Sequence, residues 1–153
     1  MSGSRAGVTL VEMLVVVAIV GLMAGISFPA VTSGLETLRL NEASETTVAF
    51  LNAALTRADR RQQVMEITIS APARTITARS TEPGYVRTLS LPDGISIARV
   101  FPELPEPENE RRFLLYPTGT VPRLGIELVN RRGASRIVRV DPISGVPILE
   151  RTP

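Results

Sequence analysis

The side chains of this sequence that could carry chemistry are carboxylates, hydroxyls and guanidinium groups. Its 153 residues include no histidine or cysteine, and all 17 basic residues are arginine. This composition excludes thiol nucleophiles, Ser-His and Ser-Lys pairs, and metal sites built on histidine or cysteine. A hydrolase that uses carboxylates alone is the catalytic class that remains. We expect a protein without enzymatic activity, catalytic residues, metal or cofactor.

The carboxylate in the most unusual position is Glu12. Residues 8–35 contain no other charge, and a helix of about 20 apolar residues crosses the hydrocarbon core of a bilayer. The sequence therefore predicts a transmembrane N-terminal helix over residues 8–31. Because an ionised carboxylate in such a segment costs about 3 kcal/mol on insertion scales, we expect Glu12 to have a partner.

A secretory signal peptide and a plain membrane anchor are two interpretations of this N-terminus. A signal peptide would end in small residues with an A-x-A-like pattern. The sequence after the apolar run, ISFPAVTSG, fits that pattern poorly. A plain anchor for a β domain agrees with the hydrophobicity but leaves Glu12 unexplained.

A third interpretation comes from a resemblance. The stretch AGVTLVEMLVVVAIVGLMAGISFP resembles the N-terminus of type IV pilins and of the pseudopilins of type II secretion. The resemblance implies a leader over residues 1–7, which ends at Gly7 and is removed by a prepilin peptidase. Val8 becomes the methylated N-terminal residue, where the family usually has phenylalanine or methionine. Glu12 then stands at the fifth mature position.

The same resemblance implies a partner for Glu12. Cleavage after Gly7 creates an α-amine, and the amine of a neighbouring subunit could pair with the Glu12 carboxylate as helices stack into a filament. Such a pair would fix the axial register of the subunits. The expected role of Glu12 is therefore assembly.

Three small or helix-breaking residues lie inside the predicted span. Gly21 and Gly25 form a small-xxx-small face that allows close helix packing in lipid, although glycine is also generally enriched in membrane helices. Pro29 lacks an N–H and crowds the carbonyl of Gly25, which predicts a kink or local melting. Gly21 and Pro29 also stand where the pilin family usually has glycine and proline.

The remaining sequence predicts an α+β fold. Residues 32–63 continue the helix with an amphipathic pattern, whose predicted apolar stripe is Leu35, Leu38, Ala43, Phe50, Leu51, Ala54, Leu55 and Ala58. Residues 64–153 predict an antiparallel β domain, with one face covered by that stripe. The candidate strands are residues 65–70, 75–79, 85–91, 95–101, 112–116, 125–130, 135–141 and 146–150. The segment PELPEPENER, residues 102–111, predicts a mobile surface loop rather than a paired strand.

The C-terminal segment from Phe113 resembles the end of minor pseudopilin H and of FimT-like minor pilins. The resemblance rests on an aromatic-Pro-x-Gly turn, which is Tyr116, Pro117 and Gly119, and on a terminal hairpin that turns at Ser144 and Gly145. It implies a globular domain of two packed sheets. The resemblance also implies that a major pilin would have a disulfide or a calcium-bound loop near its C-terminus. This sequence has no cysteine and no closely spaced set of Asp and Asn ligands, and the loop glutamates are more simply solvated, so a minor subunit is favoured.

Two functions follow from these resemblances. The first is a minor pseudopilin at or near the tip of a type II secretion pseudopilus, which contributes to export of folded proteins across the outer membrane. It would be anchored in the bacterial inner membrane with the β domain in the periplasm. Its expected partners are other pseudopilins or pilins, the prepilin peptidase and the inner-membrane assembly platform.

The second function is a FimT-like minor pilin that binds DNA during uptake. Four arginines lie close together in NRRGASRIVR, and such a patch could neutralise phosphates: Arg131, Arg132, Arg136 and Arg139. No aromatic residue is interleaved with them, and the net charge of the chain is only +2. An ordinary solvated turn and strand face is the favoured interpretation, without nucleic acid as a partner.

Overall fold

In the described part of the chain, the secondary structure is one helix followed by eight strands. The computed structural model describes residues 8–105, 108–117 and 122–151, without the side chains of residues 26–33 and 151. Helix α1 spans Leu10–Arg61. The strands are β1 (Met65–Ser70), β2 (Thr75–Ser80), β3 (Val86–Ser90), β4 (Ile95–Phe101), β5 (Glu110–Leu115), β6 (Gly125–Asn130), β7 (Ser135–Val140) and β8 (Pro147–Arg151). The α+β class and the predicted strands are confirmed.

Helix α1 ends where the amphipathic pattern predicts. The backbone of Gln62 has a φ of 52°, and Gln63 donates its N–H to the carbonyl of Ala58 at 3.2 Å. A residue with positive φ directly after the last helical turn is a common way to end a helix. Pro29 lies within α1, which continues to Arg61; the kink at Pro29 stays a prediction.

The chain divides into two compact units, Met1–Leu35 and Glu36–Pro153, and the boundary lies within α1. The second of these, called the C-terminal unit below, contains two four-stranded sheets among its described residues. Sheet A has the order β3-β2-β1-β5, and sheet B has the order β4-β6-β7-β8. All neighbouring strands are antiparallel. The two sheets implied by the resemblance are therefore present.

The core of the C-terminal unit lies between α1 and the two sheets. Alternate strand residues point into it, as an antiparallel sheet with one covered face requires. The helix contributes Leu40, Ala43, Leu51, Ala54 and Ala58, and the sheets contribute residues such as Ile67, Ile76, Ile126 and Val138.

The predicted helix stripe is wrong at its N-terminal end. Leu35 and Leu38 are 49% and 63% exposed, and the buried face begins at Leu40. The face includes two polar residues, Ser44 and Thr47, which are fully buried. Each donates its hydroxyl to the carbonyl four residues earlier, at 2.7 Å. Because this bond satisfies the hydroxyl locally, a polar side chain can occupy a core position that the hydrophobic pattern does not reveal.

The predicted proline-rich loop is shorter than expected. Glu110 and Arg111 belong to β5 and pair with Ser70 and Ile69 of β1. No proline lies between Pro107 and the end of β5 at Leu115, so the backbone N–H groups of this stretch are able to join a ladder. Two of the loop carboxylates also form ion pairs: Glu103 lies 3.3 Å from Arg99, and Glu108 lies 3.9 Å from Arg111.

Candidate functional site

The predicted processing junction is described from Val8 onward. Gly7 lies outside the described residues, as do Gly119 of the C-terminal turn and Glu106 of the loop. Val8 is 61% exposed, and α1 begins two residues later, at Leu10. The junction is therefore followed almost at once by the start of a helix.

Thr9 caps the N-terminus of α1. Glu12 donates its backbone N–H to the Thr9 hydroxyl oxygen at 3.2 Å, and Met13 donates its N–H to the Thr9 carbonyl at 3.2 Å. Thr9 thus occupies the N-cap and Glu12 the third helical position, which is the spacing of a capping box. Hydrophobic patterning missed this role, although the T-x-x-E spacing is readable from the sequence.

The Glu12 carboxylate lies at the favourable end of the helix. A negative charge in the first turn is stabilised by the helix dipole. Among the described residues, no cationic side chain forms an ion pair with it. The geometry therefore places Glu12 at a helix start with its charge available to a group from outside the described residues.

The first part of α1 exposes apolar side chains in every direction. We call these side chains the apolar belt, and their exposed fractions run from 48% at Val16 to 79% at Leu10: Leu10, Val11, Met13, Leu14, Val15, Val16, Val17, Ile19, Val20, Leu22 and Met23. A continuous apolar surface of this kind marks an interaction site. In the described part of the chain, no helix is both long enough and apolar enough to span a membrane.

Gly21 and Gly25 face open space. A Cβ atom built on either glycine would meet no atom within 4 Å. The space beside each glycine is open, so another helix could approach closely at these two positions. The helix-packing role of the two glycines stays a prediction.

The four arginines of the C-terminal unit do not share one surface. Arg136 and Arg139 are three residues apart on β7, so their side chains lie on opposite faces of sheet B. Arg136 donates to the Asn41 side chain at 3.2 Å, and Arg132 lies 3.1 Å from the Glu36 carboxylate. Both therefore reach the helix.

The other two arginines differ in their surroundings. Arg139 lies 3.6 Å from the Glu150 carboxylate and 5.8 Å from the centre of the Phe101 ring. Arg131 is exposed and has no ion pair or hydrogen bond of its side chain with the described residues. The four arginines that are close in sequence thus lie in three places: two contact helix α1, one lies on the outer face of sheet B, and one is exposed in the turn between β6 and β7.

The outer face of sheet B carries a polar network that sequence patterning missed. Glu127 is only 6% exposed, and its carboxylate accepts from the Arg99 guanidinium at 2.5 Å. This hydrogen bond, with another from Ser135, holds the pKa of Glu127 below its usual value, and burial opposes the shift. Glu127 stands opposite Arg99 in the β4–β6 register, so the pair becomes visible only once the strands are aligned.

Phe101 covers Gly125 on the same face. A Cβ atom at Gly125 would lie 3.2 Å from the Phe101 ring, and the two residues are register partners. The Arg99 guanidinium lies 5.4 Å from the centre of that ring. The glycine therefore leaves room for an aromatic side chain flanked by two guanidinium groups.

Comparison with known proteins finds one match. Residues 3–28 match the family model of the prokaryotic N-terminal methylation motif. No curated protein and no solved structure matches the chain. The motif supports a type IV pilin-like protein that is cleaved by a prepilin peptidase and assembles with other pilins. It is compatible with both the secretion and the pilus pathway.

Proposed function

We propose that this chain is a non-enzymatic subunit of a type IV pilin-like filament. The observation that carries the proposal is the N-terminal methylation motif over residues 3–28. In this proposal the leader is cleaved after Gly7, Val8 becomes the methylated N-terminus, and the apolar belt holds the subunit in the bacterial inner membrane before assembly. The C-terminal unit then lies in the periplasm.

Glu12 is the proposed assembly contact. Its carboxylate lies in the first turn of α1, within a helix surface that is otherwise apolar. The amine of Val8 from a neighbouring subunit would neutralise that charge where water is scarce, and this strengthens an ion pair. Since the pair forms only when two subunits are in register, it selects the axial position of each new subunit.

The finer proposal is a minor pseudopilin of the H type in a type II secretion system, at or near the pseudopilus tip. It rests on the resemblance of the C-terminal segment to those proteins, and the two antiparallel sheets agree with it. The alternative is a FimT-like minor pilin of a type IV pilus. Neighbouring secretion genes would favour the first, and pilus or competence genes the second.

Mass spectrometry of the membrane-extracted chain tests the filament proposal. We expect loss of residues 1–7 and a methyl group on the amine of Val8. A Gly7→Leu variant should keep its leader in the same host, which controls for unspecific proteolysis. An intact N-terminus in the wild-type chain would refute the proposal.

DNA retention tests the pilus alternative. Binding that weakens steeply with salt is expected of phosphate contacts. Arg131 is the side chain to change, and Arg79 on β2 is a matched exposed control. Retention that Arg131→Gln reduces and Arg79→Gln does not would favour the DNA-binding alternative over the secretion subunit. Absence of retention at low salt would remove DNA binding from the pilus alternative.

A further inference from the structure

Four strands form the edges of the two sheets in the described chain: β3 and β5 in sheet A, and β4 and β8 in sheet B. Two of these edges carry features that discourage pairing with another molecule. β4 contains a bulge between Ile97 and Arg99, and β5 presents Glu110 and Arg112. β3 and β8 have no bulge in the ladders described. On β8 the protective residues stand at its two ends, Pro147 at the start and the charged Glu150 and Arg151 at the end, with Ile148 and Leu149 between them.

The free edge of β8 is defined by its hydrogen-bond phase. Asp141 donates its N–H to the carbonyl of Val146, and bonded pairs alternate along an antiparallel ladder. Ile148 and Glu150 therefore bond to β7, whereas the N–H and C=O of Leu149 point away from the sheet. The backbone of Pro147 also faces away from β7, so its missing N–H costs no bond within the molecule, although a strand added at this edge forms one bond fewer there.

The free edge of β3 follows from the same argument. Ser80 donates to the carbonyl of Tyr85, so the outward groups of β3 belong to Val86, Thr88 and Ser90. The residues between them are Arg87 and Leu89. The Arg87 side chain is exposed and has no ion pair with the described residues.

We propose that β8 of one molecule pairs antiparallel with β3 of a second copy, with Leu149 opposite Thr88. The free N–H and C=O groups of these two residues then bond to each other. The register places Ile148 opposite Leu89 and Glu150 opposite Arg87. An apolar pair and an opposite-charge pair at directly facing positions both stabilise a sheet.

A second observation supports this register. Beyond Pro147, the β7–β8 turn would extend past Ser90 toward residues 91–94 of the other copy. This turn exposes 94% of Ile143 and 50% of Val146. Residues 89–93, with Arg39, Glu42, Ala43 and Thr46 of α1, line a cavity of about 500 Å³. The apolar tip of one molecule thus meets a cavity of the next.

The turn that carries Ile143 is held in shape before any contact. The Asp141 carboxylate accepts the N–H of Ile143 at 3.0 Å and the hydroxyl of Ser144 at 2.7 Å. Ordering the turn in advance lowers the entropy lost on docking. Because the contact joins different surfaces of two copies, it leaves one β3 and one β8 free for further copies to join.

Cysteine crosslinking of the full chain in detergent tests the register. The protein has no cysteine, so an Ile148→Cys preparation can be mixed with a Leu89→Cys preparation. We expect a disulfide-linked heterodimer, since facing residues of a strand pair are within disulfide range. Replacing the second partner by Leu114→Cys, on the guarded β5 edge, should give none. Absence of the 148–89 crosslink in chains that associate would overturn the proposal.

Edge-blocking variants provide an independent measurement. Leu149→Pro removes an outward N–H and should reduce association more than tenfold, whereas the matched Leu114→Pro on β5 should not. Arg87→Glu should weaken association about fivefold; it is the cleaner single change, because Glu150 also lies 3.6 Å from Arg139 of its own molecule. Its combination with Glu150→Arg should restore association. Association unaffected by Leu149→Pro, or not restored by the double change, would refute the contact. Neither outcome depends on N-terminal processing, so the filament proposal is judged separately.

Discussion

Substitutions at Thr9 and Glu12 can test the capping of α1 and the role of the Glu12 charge in assembly independently. Thr9→Ala removes the hydroxyl that accepts the Glu12 N–H at 3.2 Å. Loss of an N-cap hydroxyl costs about 1 kcal/mol, which is roughly a fivefold change in an equilibrium constant. We therefore expect the backbone amide of Glu12 to exchange with deuterium about five times faster in the full chain in detergent. Thr9→Ser keeps the hydroxyl and should exchange like the wild type.

Glu12→Gln removes the charge and keeps the helix cap. Glutamine also serves at the third position of a capping box, so amide exchange near the helix start should stay close to that of the wild type. The charge is lost, however, and incorporation into filaments should fail. Unchanged exchange in Thr9→Ala would refute the cap. Normal incorporation of Glu12→Gln, measured by immunoblotting of sheared filaments, would refute the role of the charge.

Two further predictions concern the C-terminal unit. Leu51→Ala should lower the free energy of unfolding by about 3 kcal/mol, because the Leu51 side chain is 1% exposed. Leu38→Ala is the control, since Leu38 is exposed. Equal losses of unfolding free energy in urea melts of the two variants would contradict the core assignment. The pKa of Glu127 is lower in the folded protein than in the unfolded chain. Its ionised carboxylate therefore stabilises the fold at pH values above the pKa of the unfolded chain, and this stabilisation is lost as the pH falls through the pKa of the folded protein. Stability should therefore decline below about pH 4.5, less steeply in Glu127→Gln, and an unchanged slope in that variant would argue against the Arg99 hydrogen bond.

The spacing of apolar residues predicted the helix and strands well, because most segments follow either the helical period or the two-residue period of a strand. The two-residue period located the eight strands seen among the described residues, and the helix end near Arg61 followed from the loss of the amphipathic pattern. The errors arose where side-chain type and burial disagree. Leu38 is apolar and exposed, whereas Ser44 is polar and fully buried with its hydroxyl bonded to Leu40.

The arginine cluster shows why proximity in sequence does not define a surface. Strand residues alternate between faces, so Arg136 and Arg139 separate as soon as β7 forms. Arg136 then contacts Asn41 of α1, which is distant in sequence, and Arg139 contacts Glu150 on β8. Partners brought in by helix packing and by strand pairing therefore decide whether an arginine is available to bind phosphate.

The edge contact depends on information of the same kind. Pro147 and Leu149 are visible in the sequence, but their place on an edge strand beside β7 comes from the fold, and the bond between Asp141 and Val146 gives their outward direction. A shift of the ladder phase by one residue would turn the Leu149 groups toward β7 and those of Ile148 outward. Pro147 would then have to donate to β7 and would break the ladder. The proline is thus compatible with one phase only, and that phase leaves Leu149 able to pair with another molecule.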